Sequence, residues 1–503
     1  MDDKKQKTNQ ATELASIAAE RCQLFSDPDD VCYGSVKNGD HSETYPLRSS
    51  RMRDWLGRLF YIELKSTPNR STIDDVLGQL SGIARYDGPT ENVYRRIAEH
   101  NGEVFLDLAT HDWAVVRIAA DGWCVVKQEA CPVRFIRPKS MLPLCEPSHD
   151  ANLALLSGFI NCGNDWPLVA GWLVGCLNPR EGYAVEVLEG EQGNGKSVAA
   201  ELQRSLIDPN SAPLRSLPRK ESDLMISAKN QWVLCWDNVS SVPHSTSDAL
   251  CRIATGGGQA CRMLYSDDDE NIIRVSRPQI INGIGDLLHN SDLIDRSIFV
   301  RLERIPDADR RPLDEIRTDF ERVKPQILGG LCDAVSEALG NYAKVKSQAW
   351  PRMANFAKWV TAAEGKLHLP DGQTFLAAYN YNRQAAHQLA IEGSEFAMTL
   401  IDICRDDGGF DATAGDVLDK VNAKASDTAK RSKYWPSTPK SCSNHIRRLS
   451  PNLAANGIEV EYLTRKNNKR LIRFTVTTVT PSPESDASDA SDCHPLIPFE
   501  ETA

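Results

Sequence analysis

The stretch from Gly190 to Ser197, Gly-Glu-Gln-Gly-Asn-Gly-Lys-Ser, constrains the fold of this chain more than any other. It follows an apolar run, Ala184 to Leu188, and leads into Val198 to Leu206, whose pattern reads as a helix. Strand, glycine-rich turn, helix is the setting in which G-x-x-x-x-G-K-[ST] becomes a P-loop. Glycines let successive backbone N–H groups curl round a phosphate chain, and the helix N-terminus adds its positive dipole end. On this reading Gly190, Glu191, Gln192, Gly193, Asn194, Gly195 and Val198 form the cradle. Lys196 reaches the β- and γ-phosphates of ATP, and Ser197 binds Mg2+. The competing reading is an ordinary glycine-rich surface turn.

A P-loop needs a second strand ending in an acid for the Mg2+ shell. Trp232 to Asp237 is an apolar run of that kind, ending 41 residues beyond Lys196. A third run, Pro278 to Asn282, ends in an Asn able to orient the attacking water or sense the γ-phosphate. A plain Asn-Gly turn would look the same. Arg296 follows. It is placed either to enter a neighbouring subunit's nucleotide site as an arginine finger or to pair locally with Asp292 or Asp295.

These blocks, in this order and within about one hundred residues, resemble the superfamily 3 helicases, the AAA+ type of viral, phage and mobile-element replication proteins. Ser247 to Gly258 and Arg277 to Ile284 look like a family of bacterial ATP-binding proteins from phages and integrated elements, usually described as primase- or helicase-like. The resemblance covers about Val133 to Arg473. It implies an α/β P-loop NTPase: an AAA+ core with a central parallel sheet and flanking helices, usually a hexameric ring around DNA. Lys196 and Ser197 become the Walker A pair, Asp237 the Walker B acid, Asn282 sensor 1 and Arg296 the finger. Gly256 to Tyr265 takes the place of the motif that opens a DNA-binding hairpin before the sensor strand. Two departures stand out. Asn238 occupies the place where many related ATPases carry a second acid, the base that acts on water. The segment after Tyr265, Ser-Asp-Asp-Asp-Glu270, would repel phosphate, so Arg262, Arg274 and Arg277 are the candidates for gripping DNA there.

The rest of the chain is read from its composition. Its 503 residues allow three or four domains. Fourteen scattered cysteines without a C-x-x-C argue for a reducing cytoplasm and against a zinc ribbon. The polar start is not a signal peptide, and the apolar run near Leu168–Leu177 is too short to span a bilayer. Residues 1–45 read as a polar N-terminal segment and 46–148 as a small α+β domain. The P-loop domain follows over 149–345, then a helical region over 346–410 and a basic domain over 411–476. An acidic tail over 477–503 has a composition that cannot bury a core.

Residues 425–473 hold eleven Lys and Arg against three acids in a chain of net charge −11. Thr438-Pro439 reads as an N-cap followed by Pro at the first helical position. On that helix Cys442, Ile446 and Leu449 form an apolar face, while Lys440, Asn444 and Arg447 share another. Two strands follow, joined by a basic turn with Lys466 and Lys469. That outline is a winged helix, with the helix suited to the DNA major groove and the turn to phosphate. A winged helix that only packs on a protein partner is the alternative.

The expectation is therefore an ATP-dependent, helicase-like AAA+ ATPase acting on DNA in replication of a phage or mobile element. It would work as a homo-oligomer with other replication proteins and without a membrane. An ATP-switched loader or initiator with slow turnover is one alternative. A nucleotide-gated defence or signalling assembly is another.

Overall fold

The computed structural model describes residues 10–262, 270–283, 288, 290–347, 349–392, 394–431, 435–464 and 470–477, with backbone alone for 258–262 and 270–273. Residues 10–86 form a unit of which the sequence suggests only helices, near Leu14–Phe25, Trp55–Leu64 and Ile73–Ala84, and not the sheet between them. Helix α1 (Gln10–Arg21) leads into a three-stranded antiparallel sheet, β1 (Cys22–Ser26), β2 (Cys32–Asn38) and β3 (His41–Pro46), in the order β1-β2-β3. Helices α2 (Ser50–Leu64) and α3 (Arg70–Tyr86) complete it. Leu14, Val36, Leu56, Phe60, Val76 and Leu80 form its core. The strands are short, and β2 buries Gly34 and Ser35 among its apolar residues, so no clean apolar run or alternation marks them in the sequence.

A second antiparallel sheet, β5 (Ile97–His100) to β8 (Gly122–Val126) through β6 (Glu103–Asp107) and β7 (Val115–Ala119), follows a two-residue strand β4 (Val93–Tyr94) that pairs with β9 (Arg134–Phe135). This sheet shares its core with the P-loop unit rather than with α2 and α3. Trp123 donates its indole N–H to Asp333 (2.8 Å), and the Ser336 hydroxyl donates to the Ala119 carbonyl. Both partners lie on the long helix that closes the P-loop unit.

The P-loop unit begins with α4 (Trp166–Cys176), every residue of which is buried. The apolar run that is too short for a bilayer is thus a core helix. A side chain at Gly171 or Gly175 would run into the rings of Phe375 or Phe356, so the glycines set how closely α4 meets its neighbours. Four parallel strands form the central sheet: β10 (Val185–Glu189), β11 (Leu234–Val239), β14 (Gln279–Gly283) and β15 (Ser297–Arg301), in the order β11-β14-β10-β15. Their near-continuous apolar runs suit strands covered on both faces. The connecting helices are α5 (Lys196–Ile207), α6 (Glu221–Asn230), α7 (His244–Thr255) and the single turn α8 (Ser291–Ile294). Between α7 and β14, strands β12 (Gly258–Arg262) and β13 (Glu270–Arg274) form an antiparallel hairpin. Helices α9 (Leu313–Asn341), α10 (Ala354–Ala362) and α11 (Phe375–Glu392) pack on the same core, with the Trp359 indole donating to the Val174 carbonyl.

The last unit starts earlier than the expected boundary at 411. Helix α12 (Glu395–Asp407) buries Phe396, Leu400 and Cys404 with Val417, Cys442, Ile446 and Ile472. Strand β16 (Phe410–Thr413), helices α13 (Ala414–Lys424), α14 (Asp427–Lys430) and α15 (Pro439–Ala455), and strands β17 (Ile458–Tyr462) and β18 (Leu471–Val476) complete it. Its sheet is antiparallel in the order β16-β18-β17. Among the described residues no helix is long and apolar enough to cross a membrane.

Candidate nucleotide site and basic helix

The glycine-rich loop springs from the C-terminal end of β10, the edge at which parallel sheets hold ligands. Gly190, Gly193 and Gly195 have φ of 144°, 89° and 78°, a region that side chains rarely adopt. Asn194 is buried and donates through Nδ2 to the Leu302 carbonyl (2.9 Å), which pins the loop to the end of β15. Glu191 and Gln192 are exposed, and Val198 is half-buried on the first turn of α5. Lys196 Nζ donates to the carbonyls of Gly190 and Glu191 (2.8 and 2.7 Å), and burial pulls its pKa below the usual lysine value.

Ser197 and Asp237 meet. The Ser197 hydroxyl donates to Asp237 Oδ1 at 2.8 Å, although 40 residues separate them. This serine and this carboxylate are hard oxygen donors of the kind Mg2+ takes. Asn282 lies one residue before the end of β14, between the strands that carry the loop and the acid. Its Oδ1 accepts from the Asn238 backbone N–H (2.8 Å), and its buried Nδ2 has no partner. A spare amide donor beside the Ser197–Asp237 pair can bind a water or a phosphate oxygen.

Asn238 is exposed, follows Asp237 at a bulge in β11, and has φ of 53°. Asn tolerates this left-handed conformation far better than most side chains. Sequence reasoning saw the missing acid there but not the backbone that selects Asn. It also missed Arg310. A methyl group at Gly193 would lie 3.3 Å from the Arg310 Nη2, so this guanidinium stands over the loop, with Asp307 as its ion-pair partner at 3.2 Å. Arg310 is far from the loop in sequence and belongs to no motif, so spacing gave no signal.

Arg296 lies at the opposite end of the sheet. Val185 N donates to the Arg296 carbonyl (2.9 Å), which puts Arg296 level with the start of β10. About 13 Å of strand separates that level from the loop of the same chain. Its guanidinium is held by Asp292, through the carboxylate and the backbone carbonyl, both at 2.7 Å. The local pair is therefore formed in the single chain.

The basic candidates divide. Arg274 is exposed and paired with Glu181 at 3.1 Å. Arg277 is a correction. It turns inward, donates to the carbonyls of Ala228, Gln231 and Ser276, and lies over the Trp232 ring. Burial, with Arg95 nearby, lowers its pKa to about 10, so its charge serves the interior and not DNA. Arg262 closes β12 and its side chain lies outside the described residues, as do Lys466 and Lys469. On α15 the faces separate as the spacing predicts. Cys442 and Ile446 are buried, while Lys440, Asn444 and Arg447 are exposed. The Arg447 guanidinium stacks over the Tyr462 ring at 4.9 Å. Thr438 and Ser441 form a reciprocal capping box ahead of Pro439.

A search of curated proteins gave no match. Solved structures with a loose likeness include SCCmec type IV Cch, described as an active helicase. It shares 15% identity over 90% of this chain and 92% of that one, with a TM-score of 0.44. The apo A form of the NrS-1 C-terminal region shares 10% over 94% and 100%, with a TM-score of 0.37. Residues 151–382 match the model of the actinomycete integrative conjugative element replication protein, and residues 396–488 match the model of that protein's C-terminal domain. With both modules matched, the chain belongs to the replication-protein family of actinomycete integrative conjugative elements.

Proposed function

We propose that this replication protein is an ATP-hydrolysing, helicase-like motor with an AAA+ core that acts on the DNA of its element. The observation that carries the reading is the meeting of Ser197 and Asp237 at the mouth of the glycine loop, with the free Asn282 amide beside them. Ser197 and Asp237 would hold Mg2+, whose charge offsets that of the β- and γ-phosphates. Lys196 would exchange the carbonyls of Gly190 and Glu191 for those phosphates. Asn282 would orient the attacking water. Arg310 would meet the phosphates from the same chain, while Arg296 would serve a neighbour's site in a closed homo-oligomer, a hexameric ring being the family expectation.

The C-terminal unit, with its helix–strand–helix–helix–helix–strand–strand order, is read as a winged helix that offers Lys440, Asn444 and Arg447 to DNA. Asn238 favours a second reading. Asn cannot take the water's proton, so a switch-like loader that turns over slowly would carry the same residues. The test is ATP hydrolysis by wild type and Lys196→Ala. The variant should fold, lose ATP affinity at least tenfold and lose hydrolysis. A folded variant with unchanged ATP affinity would remove the P-loop assignment.

A further inference from the structure

One polar cluster joins the Arg296 block to the C-terminal unit. Asp292 holds Arg296 (2.7 Å) and Arg352 (2.6 Å). Asp295, one residue before Arg296, takes Arg383 (2.8 Å), His387 (2.9 Å) and, more distantly, Arg352 (3.7 Å). His387, buried on α11, spends its other ring nitrogen on Asn452 of α15 (3.0 Å). The Ser291 hydroxyl donates to the Arg448 carbonyl of α15 at 2.7 Å. Helix α15 thus bears its exposed basic face toward one end and, further on, bonds Ser291 directly and reaches Asp295 through His387, at the two ends of the short segment before Arg296.

Three details mark this as more than packing. Arg296 Nε is buried with no partner, so the retracted guanidinium leaves a donor unused. Asp292 has a second cation in Arg352, so it stays neutralised if Arg296 leaves. Asn452 is 1% exposed and polar, a costly choice at a helix–helix contact unless its bond to His387 matters.

We propose that His387, Asn452 and Ser291 are positioning residues that let DNA on α15 set whether Arg296 stays on Asp292 or is free to enter a neighbouring subunit. The proposal rests on the finger reading of Arg296. DNA that shifts α15 relative to α8 moves Asn452 and the Arg448 carbonyl, and through His387 and Ser291 shifts Asp295 and the segment next to Arg296. Arg352 then takes over Asp292. Asp295 keeps Arg383 and Arg352 throughout, so cutting the link on the α15 side strands no carboxylate.

The experiment uses the full-length protein, a forked DNA and ATP, and reads the ratio of ATPase rates with and without DNA. Ser291→Ala/Asn452→Ala should cut that ratio at least fivefold while DNA affinity and the DNA-free rate stay within twofold. His387→Gln, which keeps one amide donor, should fall between. In an Arg296→Ala background the same double substitution should change nothing further. An unchanged ratio overturns the relay alone. An equal loss in the Arg296→Ala background also overturns it, because the effect then bypasses Arg296. Full ATPase activity in Arg296→Ala itself removes the finger reading and the relay together. A merely structural role would lower melting temperature and both rates alike, leaving the ratio intact, which again counts against the proposal.

Discussion

Asn238 shows how a single backbone angle can decide chemistry. Its φ of 53° admits Asn or Asp but strains Glu. Asn238→Asp therefore supplies a carboxylate beside Asp237 without forcing the bulge. If proton transfer limits turnover, Asn238→Asp should raise the steady-state rate at least tenfold. A wild-type rate near 10 per second, with no gain in the variant, would assign the base elsewhere. Glu186 offers a test by pH. It is fully buried on β10, accepts from Gln203, and burial pushes its pKa from 4.5 up to about 8. The folded protein holds the proton while the unfolded chain releases it, so stability falls as pH rises from about 4.5 to about 8. Glu186→Gln should be more stable than wild type at pH 8 by about 2 kcal/mol or more, and nearly equal at pH 5. Parallel melting curves at both pH values would contradict this. Lys196, Ser197 and Asp237 could be picked out as one candidate set from residue type and spacing alone, and the structure brings Ser197 and Asp237 into contact. Arg310, Glu186 and the inward turn of Arg277 were not legible in this way, since each depends on residues distant in sequence.

At the scale of elements, the legible parts were those with a strong local signal. The N-cap at Thr438 and the two faces of α15 follow from residue type and from side chains three and four residues apart. Strands β10, β11 and β14 announced themselves as apolar runs leading to Gly190, Asp237 and Asn282, while β15 was not singled out as a strand. The order of the strands in the sheet did not announce itself, because it is set by the crossovers. Nor did the start of the C-terminal unit, since α12 looks like any amphipathic helix until its partners are known. The faces of α15 carry a prediction of their own. Replacing Lys440 and Arg447 by Ala should weaken DNA binding and flatten the logarithmic salt dependence by about two units. Replacing Cys442 or Ile446 with polar residues should unfold the unit. Unchanged affinity at low salt in the Lys440/Arg447 variant would return this unit to protein contacts.

At the scale of the molecule, several cores support one site. The N-terminal unit has its own core, the β5–β8 sheet and α9–α11 lean on the P-loop sheet, and the C-terminal unit meets α8 and α11 through α15. Arg296 faces away from its own loop, so a complete site of the proposed kind needs a second subunit. Mixing Arg296→Ala with Lys196→Ala subunits should raise ATPase activity well above the residual rate of either alone. Co-assembly without any rescue would confine each site to one chain. The most direct measurement of the central claim is strand displacement on a forked DNA with ATP, by wild type and Asp237→Ala. Wild type should separate the strands only with ATP and Mg2+, and Asp237→Ala should bind the fork with equal affinity but separate nothing. ATP-independent separation, or separation by Asp237→Ala at the wild-type rate, would contradict the account.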